Sequence, residues 1–355
     1  MDGVIKGLSR IHKVNSYKHS FFMLTMEIFS SAQKCSKDHI STVSKKIQSV
    51  PFFPYFWPWL PPAGCVTFWR NIPEQRIIMT LSVFCILLFA ALLHATWNAI
   101  VKAGNDKLYS AIGVTGSAAL IALLLLPFAP APSSASVPFL ITSTILQVIY
   151  TVLVAKTYQI SDMSQTYPLM RGTAPLLVAI VSVLLLGDHL SAMAWFGIAV
   201  ICTAILGMAL NGRSGSQLGI VLALFNACII AGYTLIDGTG VRLSGSAFGY
   251  TVWSFFLNGS SLLAWAMMTR RREASRYLAQ HWKKGLLGGV GTMGSYGLAL
   301  WAMTQAPLAV VAALRESSIL FGAIIAWLLL KERVSGLRFF AAFGIAAGAI
   351  LLRLS

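Results

Sequence analysis

The chain has 355 residues, of which 57% are hydrophobic and 11% charged, and its mean hydropathy is +0.73. Soluble domains have about a quarter of their residues charged, so this composition excludes a soluble enzyme and indicates an all-α integral membrane protein. The net charge of +16 is divided between the first 78 residues and a few short connections, which is typical of charge that flanks membrane segments and argues against nucleic-acid binding.

Residues 1–78 differ in composition from the rest of the chain. They are polar and basic as far as Val50, and then carry five prolines among aromatic residues in PFFPYFWPWLPPAGC, which excludes a regular helix. The first long apolar run begins at Met79, a position where a translation start would be expected. We therefore expect residues 1–78 to be an N-terminal extension, either a disordered basic tail on anionic lipid or a mis-assigned gene start.

Apolar segments of about 20 residues follow one another from Met79 onward, and each is long enough to cross a hydrocarbon layer of about 30 Å. A β-barrel would instead show alternating segments of about ten residues. The connections are short, except for the long and charged seventh, RRREASRYLAQHWKK. The ten predicted spans are 80–101, 109–128, 138–158, 165–186, 191–210, 217–236, 247–268, 285–304, 307–330 and 336–353.

Two stretches of the sequence align with each other without a gap. RGTAPLLVAIVSVLLLGDHLS, which begins at Arg171, aligns with RESSILFGAIIAWLLLKERVS, which begins at Arg315, at an offset of 144 residues. This alignment pairs the two arginines and places Asp188 opposite Glu332. A looser match at an offset of 136 pairs ATWNAIVK in the first span with AGYTLIDG in the sixth.

The alignment predicts a repeat of five helices, and five is an odd number. The second copy must then enter the bilayer in the opposite direction to the first. We therefore predict ten transmembrane helices arranged as two inverted five-helix repeats, residues 79–211 and residues 212–355. Two inverted halves offer two packings of similar energy, one open to each side, and transporters use this arrangement.

This plan resembles the EamA-type branch of the drug/metabolite transporter superfamily over residues 79–355. The resemblance is carried by HATWNA in the first span, YPLMRGTAPLLVA and LLLGDHLS around the fourth, and LRESSILFGAIIAWLLLKERVS around the ninth. It implies a multi-pass secondary transporter, an exporter, that moves a small amino-acid-like or organic-anion metabolite across a bacterial inner membrane. One departure is Asp188, which stands where the family usually has Glu.

Charged residues inside the spans are the strongest candidates for function, because each costs a few kcal/mol at the bilayer centre. The spacing places Arg171 and Arg315 each about 8 Å from opposite membrane faces. They are expected to hold a carboxylate or phosphonate by bidentate bonds, unless each extends to its own interface. Glu316 has no counterpart in the first repeat, and is either a proton-coupling carboxylate or a static counter-ion for an arginine such as Arg171.

Polar and aromatic residues in several spans predict a central substrate cavity. His94, Trp97 and Asn98 lie at i, i+3 and i+4 of the first span and so share one face. The sixth span, its counterpart in the repeat, carries a looser polar face that includes Asp237. The other residues expected at the cavity are Tyr150, Tyr167, Asn226, Tyr233 and Tyr296. The alternative for these side chains is interfacial placement or ordinary hydrogen bonds between helices.

Four glycines recur at every third position of the eighth span, at Gly288, Gly291, Gly294 and Gly297, and predict close packing of helices.

The expected partners are the lipid bilayer, a small-molecule substrate and a coupling ion such as H⁺, with no nucleic acid and with a homodimer left open. No nucleotide-binding motif or metal-ligand spacing occurs, so no cofactor is expected. A passive channel or an intramembrane enzyme are the competing classes, although the spans offer no paired catalytic groups. Basic residues concentrate in the odd-numbered connections, which places both ends of the bundle outside the cytoplasm, whereas the family resemblance implies both ends inside.

Overall fold

The computed structural model describes residues 79–104, 106–161, 163–210, 216–328 and 336–355. Within these ranges every regular element is helical, which confirms the all-α prediction for this part of the chain. The predictions for residues 1–78 and for Glu332 lie outside the described residues.

The described residues form eleven α-helices, and each predicted span coincides with one helix or, for the ninth, with two. A 3₁₀ turn, Leu126–Phe128, follows the second helix. The helices are α1 (Leu81–Lys102), α2 (Lys107–Leu125), α3 (Val137–Ile160), α4 (Met163–Leu185), α5 (Ala192–Leu210), α6 (Gln217–Leu243), α7 (Ala247–Thr269), α8 (Arg271–Met303), α9 (Leu308–Arg315), α10 (Ser317–Leu328) and α11 (Gly336–Leu354).

Seven helical stretches in the described part of the chain are long and apolar enough to cross a membrane. They are α1 to α6, with small differences at their ends, and the combined α9 and α10 over Leu308–Ile325. The apolar part of α11, Phe339–Leu354, is shorter, while α7 contains several serines and an asparagine and α8 begins with a charged stretch. The finding therefore supports a multi-pass membrane protein, and the count of ten spans stays a prediction.

The seventh connection, which the sequence places between two spans, is helical. Helix α8 begins at Arg271 and includes this charged stretch, with a kink at His281, where φ is −117° and ψ is 18°. The stretch contains no proline or glycine before Gly285 and is rich in residues that favour helix, and Arg270 pairs with Glu273 at i,i+3. Its charge therefore places it outside the apolar layer without preventing helix formation.

Several helices begin where the sequence provides a capping side chain. Thr80, Asp106, Ser216 and Ser246 each accept a hydrogen bond from a backbone N–H in the first turn of the helix that follows. After α4 the chain turns at Gly187, whose φ of 71° is disfavoured for any residue with a Cβ.

The helices pack in a pattern of corresponding pairs. Helix α1 packs against α8 and α10, while α6 packs against α3 and α4. Helix α4 also packs against α5, as α10 does against α11. Three further pairs are α2 with α7, α5 with α11, and α4 with α9. The exchange that replaces α1, α2, α3, α4 and α5 with α6, α7, α8, the α9–α10 segment and α11, and the reverse, turns each of these pairings into another on the same list or into itself.

The glycine face of α8 lies against three other helices, which confirms the predicted close packing. A Cβ added at Gly288 would come within 2.5 Å of Val114 on α2, and one at Gly297 within 3.0 Å of Thr251 on α7. The two glycines between them face α1. Helix α8 is thereby fixed against the helices that carry the polar residues described next.

Candidate functional site

A buried ion pair joins α4 to the junction of α9 and α10. The Nε of Arg171 donates to Oε2 of Glu316 at 2.9 Å, and their side chains are only 10% and 6% exposed. Of the two roles expected for Glu316, its position against Arg171 is that of the counter-ion. The Nη2 atom of Arg171 is also buried and has no hydrogen-bond partner among the described residues.

The ninth span is interrupted at the residue that forms this ion pair. The N–H of Glu316 donates to the carbonyl of Ala313 at 3.1 Å, and the N–H of Ile319 donates to the carbonyl of Glu316 at 2.9 Å. These bonds reach three residues back instead of four, which tightens the chain into a turn between α9 and α10. The sequence predicted one continuous helix over 307–330, because nothing in it marks a break. Transporters commonly place such interrupted helices at their binding sites.

Arg315 differs from Arg171 in its surroundings. Its guanidinium lies 4.9 Å from the centre of the Tyr296 ring, the geometry of a cation–π contact. The residue is half-buried, and no carboxylate among the described residues lies within ion-pair distance of it. The two arginines that the repeat relates are therefore unlike, since Glu316 neutralises one and only an aromatic face supports the other.

A second buried carboxylate, Asp237 on α6, collects hydrogen bonds from three other helices. Its Oδ1 accepts from the hydroxyl of Tyr250 at 2.9 Å, and its Oδ2 accepts from the hydroxyl of Tyr296 and, at 3.2 Å, from Nε2 of Gln147. The amide of Asn258 supports Gln147 by donating to its Oε1 at 2.7 Å. These residues form the Asp237 network, which is built from α3, α6, α7 and α8.

Tyr296 connects the Asp237 network to the arginine beside the ion pair. Its hydroxyl donates to Asp237, and its ring faces Arg315. The sequence singled out Tyr296 and the polar face that includes Asp237, but missed Gln147, Tyr250 and Asn258. The signal that could have found the two amides is their occurrence inside apolar segments, where an uncharged amide also needs a partner.

The predicted polar face of α1 is present and lies near both arginines. The rings of His94 and Trp97 are in edge contact, with centres 5.1 Å apart. Arg171 and Arg315 are both close enough to His94 for their charges to act on it. Asn98 instead makes a local bond, because its Nδ2 donates to the carbonyl of His94 at 2.8 Å. The indole N–H of Trp97 is buried without a partner among the described residues.

The tyrosines of the third, fourth and sixth spans cluster near Arg171. Tyr150 and Tyr233 meet edge to face with ring centres 5.9 Å apart. Tyr167 lies one turn before Arg171 on α4, within electrostatic range of both Arg171 and Glu316. These aromatic groups give the ion pair a largely apolar wall with hydroxyl groups in it.

Asn226 lies deeper in the packing between α4 and α6. The residue is fully buried, and its Nδ2 contacts the sulfur of Met170 at 2.9 Å. Its Oδ1 has no partner among the described residues. In the described part of the chain Asn226 makes no hydrogen bond to either arginine, so its predicted role at the cavity has no direct geometric support.

A polar cluster lies at the end of the bundle where α4, α6 and α8 finish. The Nε of Arg242 donates to the carbonyl of Met303 at 2.8 Å, and its Nη2 donates to that of Ala306 at 3.1 Å. Its Nη1 lies 3.9 Å from Oδ1 of Asp188, whose pKa is raised above the ordinary value by burial. Asp188 thus ties the connection between α4 and α5 to the ends of α6 and α8.

Comparison with known proteins supports the family resemblance. Residues 217–354 match the model of the EamA-like transporter family, which confirms the resemblance over these residues and indicates a membrane transporter of the drug/metabolite kind. No curated protein gives a significant match. A protein of known crystal structure superposes with a TM-score of 0.56 over 77% of this chain and 98% of its own, at 19% sequence identity. At that identity the likeness shows the fold alone.

Proposed function

We propose that this chain, whose residues 217–354 match the EamA-like transporter family, is a secondary carrier for a small metabolite that bears a carboxylate, either amino-acid-like or an organic anion. The observation that carries the proposal is Arg315, a half-buried guanidinium inside the bundle without an anionic partner among the described residues. An arginine in such a position is available to bind a substrate anion reversibly.

Arg315 is a better substrate ligand than Arg171. The charge of Arg171 is already neutralised by Glu316, and displacing that carboxylate would leave it buried and unpaired, at a cost of several kcal/mol. Arg315 can accept a carboxylate without breaking an existing ion pair. The planar guanidinium of Arg315 can form two parallel hydrogen bonds to a carboxylate. The face of the Tyr296 ring holds this guanidinium in place.

The other residues predicted at the site take supporting roles in this proposal. His94 and Trp97 of α1 contribute ring nitrogens near the arginines, and Tyr150, Tyr167 and Tyr233 contribute aromatic surface with hydroxyl groups. A small polar metabolite needs this mixture of apolar wall and a few converging polar groups.

Alternating access between two inverted five-helix halves is the mechanism we propose. One support is the pair of stretches that align in the sequence. The other is the correspondence of helix contacts between the two halves, since α1 packs against α8 as α6 packs against α3. The cluster of Arg242 and Asp188 would close one end of the bundle and would have to open in the alternate state. Export across a bacterial inner membrane is assigned on the family resemblance.

Counterflow in proteoliposomes tests this proposal. Vesicles that contain the purified full chain are preloaded with unlabelled glutamate, succinate, threonine or lysine, and uptake of the same radiolabelled compound is followed over time. We expect saturable counterflow for at least one of these four compounds, each of which bears a carboxylate. A carrier exchanges bound substrate across the membrane, so unlabelled substrate inside drives uptake of labelled substrate. Loss of a charge-assisted bond costs about 1.5–3 kcal/mol, so Arg315→Gln should lower transport about 10- to 100-fold.

Arg270→Gln is the matched control, because Arg270 is an exposed arginine whose side chain is 63% exposed. It should leave counterflow unchanged. Counterflow that is equal in Arg315→Gln and wild type would contradict the assignment of Arg315, and linear, unsaturable flux would identify a channel instead.

A further inference from the structure

We propose that Asp237 is the site where the carrier binds a coupling proton, and that this proton travels in the same direction as the substrate anion bound at Arg315. Export against an inward proton gradient then requires a larger outward gradient of the substrate. The inference rests on the proposed function and adds the coupling ion and the residue that carries it. The Asp237 network and its link to Arg315 through Tyr296 are the observations behind it.

Asp237 is buried without a counter-ion in direct contact. The residue is fully buried, and no basic group among the described residues lies within ion-pair distance of it. Its hydrogen bonds come from neutral donors, which are the hydroxyls of Tyr250, Tyr296 and Ser143 and the amide of Gln147. A buried carboxylate held this way is a place where a proton can be gained or lost, unlike Glu316, which a guanidinium neutralises.

The groups that face Asp237 from the surrounding helices leave Arg315 as its nearest compensating charge. Helix α3 presents the neutral Gln147, α7 presents Tyr250, and α8 presents Tyr296. Helix α9 presents Arg315, which lies over the Tyr296 ring and acts on Asp237 through space. On α6 itself, Tyr233 lies one turn away.

Arg315 and Asp237 also lie at similar depth. Arg315 is seven residues from the start of α9, and Asp237 is six residues from the end of α6, so both are about 10 Å from the same end of the bundle. That end is shared because Arg242, in the last turn of α6, bonds to the carbonyl of Ala306 just before α9.

The charge balance of the site connects proton and substrate. Without substrate, Arg171 balances Glu316 and Arg315 balances Asp237, so the site is neutral with Asp237 ionised. A bound monoanion adds one negative charge in a region of low dielectric constant, where that charge is costly. A proton on Asp237 restores neutrality, so each ligand favours the other, and this coupling is reciprocal.

A pH gradient across proteoliposomes tests the inference. The probe is the compound of the panel that gives counterflow, with the membrane potential held at zero by valinomycin and equal potassium. One proton per substrate molecule and a pH difference of one unit, acid outside, should give about tenfold accumulation in wild type. In Asp237→Asn the ratio of accumulation with the pH gradient to accumulation without it should fall to about one, whatever the transport rate of the variant.

Asp106→Asn is the matched control, because it makes the same chemical change at an exposed helix cap where asparagine serves as well as aspartate. It should keep the tenfold ratio. If Asp237→Asn shows no counterflow, Asp237→Glu decides, since it retains an ionisable carboxyl and should keep accumulation driven by the gradient; a ratio of one in that variant overturns the inference.

Two other results would also overturn the inference. One is a tenfold ratio retained in Asp237→Asn, and the other is accumulation in wild type that follows a sodium gradient instead of the pH gradient. Both leave the carrier itself intact, whereas absence of counterflow in wild type would overturn the proposed function. The two failures are therefore distinguishable.

Discussion

The Arg171–Glu316 pair shows how costly a buried charge is without its partner. Each side chain is at most 10% exposed, so neither charge can be solvated if the other is removed. The pair also links α4 to the junction of α9 and α10, which belong to the two different predicted repeats.

A double-mutant cycle measures this coupling. Arg171→Gln and Glu316→Gln should each lower the free energy of unfolding by about 3–5 kcal/mol, because each leaves one buried charge unpaired. The double variant should lose less than the sum of the two, since it leaves no charge behind. Unfolding in detergent, followed by circular dichroism against added denaturant, provides the measurement. Additive losses would show that the two charges do not compensate each other.

At this scale the sequence predicted which residues matter better than it predicted their partners. Charges inside apolar segments are conspicuous in a sequence, so Arg171, Arg315 and Glu316 could be predicted as candidate site residues. The pairing of Glu316 with Arg171 was one of two alternatives, and the sequence could not choose between them, because the choice depends on which helices become neighbours and on the break at Glu316. For the same reason the donors to Asp237 were missed, since three helices distant in sequence supply them.

Among the helices, close approach depends on glycines at specific contacts. A Cβ added at Gly259 on α7 would overlap the carbonyl oxygen of Thr115 and come within 2.7 Å of Ala119 on α2. Helices α2 and α7 correspond to each other in the repeat, so their contact lies on the proposed axis between the halves. In contrast, no atom lies within 4 Å of a Cβ added at Gly207 on α5.

These two glycines form a matched test of helix packing. Gly259→Ala should destabilise the protein by about 1–3 kcal/mol, because α2 or α7 must shift to admit the methyl group. Gly207→Ala should be neutral or stabilise by up to about 1 kcal/mol, because alanine favours helix and meets no obstacle. Thermal unfolding of both variants in the same detergent compares them. Equal melting temperatures would mean that the contact between α2 and α7 is not tight.

The helices themselves were largely predictable because long apolar segments with polar connections have few alternatives in a bilayer. Their starts agree with the capping residues, as at Asp106 and Ser216. The helical form of the seventh connection was not predicted, because the apolar pattern that marks the spans is absent there, although helix propensity is high. The break at Glu316 was missed because neither proline nor glycine marks it.

For the whole molecule, the proposed mechanism requires the second repeat to be inverted relative to the first. Inversion would relate Arg171 to Arg315 and would give a carrier two closed ends that open in turn. It predicts that Asp188 and Glu332, which align in the sequence, lie at opposite faces of the membrane.

Cysteine labelling tests this topology most directly. In a variant whose five native cysteines are replaced, a single cysteine is introduced either at His189, an exposed residue next to Asp188, or at Glu332. A membrane-impermeant maleimide is then applied to intact cells and to inside-out vesicles. We predict that one position is labelled only in cells and the other only in vesicles. Labelling of both positions from the same side would contradict the inverted repeat.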